Sequence, residues 1–162
     1  AGTITVTNNA SLGTGALAMA GGTTLTSTAN IAGGAAQNIA LANAISTAGV
    51  GTINTGTGLT IILDGTITGA GSIAKTGNGL LVLNGANSYS GGTSLGAGTL
   101  RAGNSLALGT GALSASAGTI LQAGNAGVTL ANAIAMAGGM TVDVNGRVFG
   151  LGGTISGTDP LN

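Results

Sequence analysis

Few side chains in this sequence are equipped for chemistry. The acids are Asp64, Asp143 and Asp159, the bases are Lys75, Arg101 and Arg147, and there is no glutamate, histidine or cysteine. Hydrolysis or elimination on a polymer needs clustered carboxylates, a base or a bound cation, and three dispersed aspartates supply none of these. Serines are abundant, yet no histidine exists to activate one as a nucleophile. Without cysteine there is no disulfide framework and no thiolate metal site. The tract Asp143-Val144-Asn145-Gly146 is too short and too poor in carboxylates to wrap calcium. No catalytic residue, cofactor or metal is therefore expected.

The most varied polar cluster sets Arg147 and Phe149 beside Asp143 and Asn145. It is a weak candidate for surface contact, because Asn145-Gly146 is first of all a turn signal. Lys75 reads as a solvated turn residue that discourages edge-to-edge pairing. Arg101 follows Leu100 on an alternating run and should face outward.

The elements that would carry these residues are set by an unusual composition. The chain has 162 residues, of which 34 are glycine and 4% are charged, against roughly 25% charged in an ordinary soluble domain. Disorder would need low hydrophobicity, but mean hydropathy is +0.55, so an ordered, hydrogen-bonded structure is the better reading. A formal net charge of zero with three scattered cations removes the electrostatic footprint for nucleic acid or an anionic membrane. The first 63 residues are uncharged, yet no window of about 20 escapes repeated Gly, Thr, Ser or Asn, so no membrane insertion of this segment is expected. No basic region followed by an apolar core and a cleavage site is present, which places any secretion signal outside this sequence.

The chain repeats itself. Gly2-Thr3-Ile4 returns as Gly98-Thr99-Leu100, and Leu12-Gly13-Thr14-Gly15-Ala16-Leu17 as Leu108-Gly109-Thr110-Gly111-Ala112-Leu113, at one shift (98 − 2 = 108 − 12 = 96). Leu41-Ala42-Asn43-Ala44-Ile45 returns as Leu130-Ala131-Asn132-Ala133-Ile134 at a shift of 130 − 41 = 89, so seven residues around Ile31 to Gln37 are dropped from the second copy. Leu63 to Gly69 then matches Leu151 to Gly157 at 151 − 63 = 88. Residues 1–162 thus read as one segment of about 1.7 copies, 2–97 the first and 98–162 a partial second, cut at both ends.

Within each copy the pattern is short alternation, as in TITVT (3–7), LTIILD (59–64) and MTVDV (140–144), closed by Gly-Gly, Asn-Gly or Asp-Gly. Alternation puts successive side chains on opposite faces of a strand, and β-branched residues favour that state. Helix competes poorly, since interior glycine costs about 1 kcal/mol each. A seven-residue deletion inside a sandwich would disturb every later pairing, whereas a solenoid absorbs it in one loop. The expected fold is all-β, a right-handed parallel β-helix (β-solenoid). With about 20 to 25 residues per rung and about 4.8 Å between rungs it makes roughly seven rungs, a rod roughly 35 Å long. Leu81 and Leu83 alternate on one such strand and Leu121 on another, with Leu83 and Leu121 placed in the bore.

Residues 71–103 carry a more particular pattern: Gly71, Lys75, Gly77, Gly79, Leu81, Leu83, Gly85, Asn87-Ser88-Tyr89, Gly91-Gly92-Thr93, then Gly98-Thr99-Leu100. This order resembles the autotransporter passenger-associated β-helix repeat, and Ser105 to Gly111 resembles what commonly follows it. Gly96 departs from the family's usual polar residue, which affects a turn detail. The resemblance implies that Tyr89 packs over a corner between rungs. It also implies a passenger exported through an outer-membrane barrel, located outside the cell or on the outer-membrane surface of a Gram-negative bacterium. The expected partners are neighbouring repeats of the same chain, other copies end to end, and a host or cell-surface receptor of unidentified kind. Two readings of function stay open: the stalk or fibre of an adhesin, and a self-assembling unit of an extracellular filament or biofilm matrix. A minor third is suggested by Thr3-Ile4-Thr5, Thr24-Leu25-Thr26 and Thr66-Ile67-Thr68, which resemble the Thr-x-Thr arrays of ice-binding solenoids but look irregularly spaced.

Overall fold

The computed structural model describes residues 1–27 and 38–157. Asp159 and the segment 31–37 that distinguishes the two copies lie outside the described residues. The described residues form strands and turns with no helix. Every strand pairing is parallel, and each strand's neighbour lies about one coil away in sequence. The described residues form a β-solenoid in which the backbone of each inner strand is paired with the coils before and after.

Three faces follow one another around each coil. The first is an eight-stranded sheet that runs from Gly2–Val6 through Thr23–Ser27, Val50–Asn54, Ser72–Thr76, Thr93–Leu95, Leu113–Ser116 and Ile134–Ala137 to Ile155–Gly157. The second is a six-stranded sheet from Asn38–Leu41 through Thr60–Leu63, Leu80–Leu83, Thr99–Ala102 and Ile120–Ala123 to Thr141–Asp143. The third carries Leu17–Met19, Ile45–Thr47 and Ile67–Thr68 early in the chain and Val128–Leu130 with Phe149–Leu151 late, joined by irregular coils.

Register on the first face measures the coil. Gly2, Thr23, Gly51, Ile73, Thr93, Leu113, Ile134 and Ile155 stand side by side, which makes seven turns. The turns take 20 to 22 residues (113 − 93 = 20; 73 − 51 = 22) except the second, which takes 28 (51 − 23 = 28). Its counterpart in the second copy, from Ile120 to Thr141, takes 21 (141 − 120 = 21), so the seven-residue difference between copies is confined to one turn. Pairing resumes unchanged on either side of it.

Side-chain alternation fills the bore. On the second face Ile39, Ile61, Leu81, Leu100 and Leu121 form one inward column and Leu41, Leu63, Leu83, Ala102 and Ala123 another, all buried. Leu83 and Leu121 are thus bore residues, as their alternation predicts. Glycine lets the coils close on one another at the corners: a Cβ on Gly71 would fall on the Gly49 carbonyl, and Gly98, at φ +69°, would drive one against the Gly77 and Gly79 carbonyls. The threonine pairs are more regular than their sequence spacing implies. Thr3 and Thr5 stack on Thr24 and Thr26, because 21 residues is one turn, and Thr52 with Asn54 follows. Thr66-Ile67-Thr68 belongs to the third face and does not join them.

Candidate functional site

The segment with the densest polar construction is 71–111, and its centre is Lys75. This residue is not solvated: it is fully buried. The sequence expectation of an exposed turn residue is therefore corrected, and the reason is alternation itself. Ile73 points into the bore from Ser72–Thr76, so Lys75, two residues on, must point there too. In register it stands between Ile53 and Leu95, an ammonium in an aliphatic column. Its Nζ donates to the carbonyls of Thr76 (3.1 Å), Gly77 (2.6 Å) and Ala97 (3.1 Å), two from its own coil and one from the next. Three donors meet three acceptors, so the charged head is saturated at the corner between the first and second faces. Burial pulls its pKa from 10.5 down to about 8, which leaves it protonated at neutral pH.

Two further buried groups tie coils together. Asn87 accepts from the Ile67 N–H (2.7 Å) through Oδ1 and donates to the Ala107 carbonyl (2.6 Å) through Nδ2, so one side chain takes the place of a peptide group between the coils on either side. Tyr89 is fully buried at the following corner, as the family resemblance implies. Its hydroxyl lies 2.6 Å from Thr93 Oγ1, which donates onward to the Leu108 carbonyl (3.3 Å). That onward bond makes Tyr89 the donor to Thr93. Burial raises the phenol from 10.0 to about 12. Across this corner Gly109 lies against Tyr89, with its Cα pressed so close that a side chain would meet both the ring and the Tyr89 carbonyl.

The remaining motif positions are structural in the same sense. Gly77 and Gly92 adopt φ +74° and +86°, Gly79 and Gly85 lie against the Gly56 and Gly65 carbonyls, and Gly91 packs on Gly71. Leu81, Leu83 and Leu100 line the bore.

Sequence reading missed a construction that occurs twice. Asn8 and Asn104 each open a turn, with the side-chain oxygen accepting from the N–H two residues on (2.8 Å in both). Asn9 Oδ1 then accepts from the Ala40 N–H (2.9 Å), and at the matching place Ser105 Oγ accepts from the Thr129 N–H (3.1 Å). Asn43 Nδ2 clamps the first turn through the Gly13 and Gly15 carbonyls (3.1 and 2.6 Å), and Asn132 Nδ2 clamps the second through Gly109 and Gly111 (3.0 and 2.7 Å). Each turn roofs a shallow groove of about 210 Å³, one lined by Asn9, Thr14 and Asn43, the other by Ser105, Thr110 and Asn132. The matching letters were visible in the repeat, but which backbone groups they hold depends on chain a full coil away.

Two of the outward charges are linked through Gln122. Arg101 faces outward, as alternation predicts, and its Nε donates to Gln122 Oε1; Gln122 Nε2 donates to Asp143 Oδ2 (2.6 Å). That bond first, and the Asn145 N–H second, hold the Asp143 carboxyl below its ordinary range. Arg147 is exposed and donates to the Asn145 carbonyl (3.0 Å), while Phe149 is half-buried on the third face. Asn145 (φ +49°) and Gly146 (φ +68°) are a tight turn. Among the described residues no group of three metal-ligating acids, histidines or cysteines comes together.

Stacked parallel coils with a polar interior corner every few strands define a repeat β-solenoid. Residues 73–102 match the family model of the passenger-associated-transport-repeat, and these are the residues that hold Lys75, Asn87 and Tyr89. This match fits a passenger-like structural role and suggests a secreted or surface-exposed protein. No curated protein and no solved structure matches the chain.

Proposed function

We propose that this chain is a structural segment of an autotransporter-like passenger, the stalk of an adhesin or an extracellular fibre, and that it carries no catalysis. The observation behind this is that the buried polar groups of the repeat segment are spent on joining coils. Lys75, Asn87 and Tyr89 with Thr93 all bond across a coil boundary or a corner, and none is left facing solvent. A continuous parallel ladder along the axis resists extension and offers few cleavable loops, which suits a rod that holds a binding region away from a cell surface.

Electron microscopy and sedimentation across a concentration series test the reading. A stalk segment gives short, single particles at every concentration. Elongation into long rods would make assembly of copies the function instead.

A further inference from the structure

The sequence repeat and the coil have different periods. Four turns after Gly2, register reaches Thr93 on the same first face. The repeat-equivalent of Gly2, however, is Gly98, and the strand that follows it, Thr99–Ala102, belongs to the second face. The same offset holds for every element that can be matched. Thr23–Ser27 and Val50–Asn54 on the first face correspond to Ile120–Ala123 and Thr141–Asp143 on the second. Asn38–Leu41 and Thr60–Leu63 on the second correspond to Val128–Leu130 and Phe149–Leu151 on the third. Leu17–Met19, Ile45–Thr47 and Ile67–Thr68 on the third correspond to Leu113–Ser116, Ile134–Ala137 and Ile155–Gly157 on the first.

We infer that the repeat advances by four turns plus one face, so that successive copies present the same surface on successive sides of the rod. The residue count is not what repeats, since the first copy holds seven residues that the second lacks and the face offset is the same before and after them. What repeats is a number of sides. One copy rises ~21 Å at about 4.8 Å per turn, and three copies make thirteen turns, ~62 Å, before a feature returns to its starting side.

The feature most affected is this turn with its groove, whose exposed residues are Asn9 and Thr14 in one copy and Ser105 and Thr110 in the other. The 8–15 turn sits over the second face, where Asn9 meets Ala40, and the 104–111 turn sits over the third, where Ser105 meets Thr129. A tandem array of such copies displays the turn in rotation around the rod. A flat partner, or a second rod laid along one side, meets the same turn only at every third copy, whereas partners arriving from all sides each find one.

The chain has no cysteine, so paired spin labels can be placed at will. Ala18→Cys with Ser114→Cys labels two exposed, repeat-equivalent strand positions. Thr24→Cys with Ser114→Cys labels two positions in one column of the first face, four turns apart. Double electron–electron resonance should give ~20 Å for the same-face pair and ~30 Å for the equivalent pair, because the latter adds the step across a corner to a similar rise. Coincident distance distributions for the two pairs would overturn the inference by placing equivalent positions on one side.

Discussion

Replacing Lys75 with methionine separates what its charge does from what its stem does. The stem fills the column between Ile53 and Leu95, and methionine keeps most of that volume. The ammonium has two opposed effects. It is costly to bury, but it supplies donors to the Gly77 and Ala97 carbonyls, and leaving a buried carbonyl without a partner costs about 1–3 kcal/mol. Titration resolves the two. With a pKa of about 8 in the fold against 10.5 unfolded, the unfolded chain binds more protons in between, so stability rises with pH across that window. At 1.36 kcal/mol per pH unit the gain approaches ~3 kcal/mol for the native protein, and Lys75→Met has no such group. Urea unfolding followed by far-ultraviolet circular dichroism, at steps from pH 7 to 10.5, should therefore show the native protein gaining on Lys75→Met as pH rises. Tyr89 is common to both proteins and cancels in the difference. Lys75→Ala should be a further ~2–5 kcal/mol less stable than Lys75→Met at every pH, because it also empties the column. A native-minus-methionine difference that stays flat with pH would refute the buried, partly desolvated ammonium.

Other substitutions probe the same construction. Leu83→Ala and Leu121→Ala should each lose about 2–5 kcal/mol and lower the thermal midpoint, since both side chains face the bore; an unchanged midpoint in both would remove them from it. Asn87→Ala strands the Ile67 N–H and the Ala107 carbonyl and should cost about 2–4 kcal/mol in urea unfolding. Tyr89→Phe should lose about 1 kcal/mol with the Thr93 bond. With Lys75 common to both proteins, the native-minus-phenylalanine difference in stability should also fall as pH rises above 10, where the unfolded phenol ionises while the folded one, at about 12, keeps its proton.

Sequence alone determined the strands, the approximate number of turns and the bore. Alternation such as Leu81 and Leu83 needs only the two-residue period of an extended chain, and the glycine punctuation needs only local backbone sterics. The repeat also showed that a seven-residue difference could be tolerated in one place. For Lys75 two sequence signals conflict: its strand pattern, two residues after Ile73, points inward. Charge argued for solvent, and the compensating carbonyl of Ala97 belongs to the next coil. The stacking of Thr3 and Thr5 on Thr24 and Thr26, the double clamp of Asn43 and Asn132, and the face on which each copy begins were decided by tertiary structure. All three depend on how many residues a coil consumes at its corners, a quantity set by contacts between coils and not by any local stretch of chain.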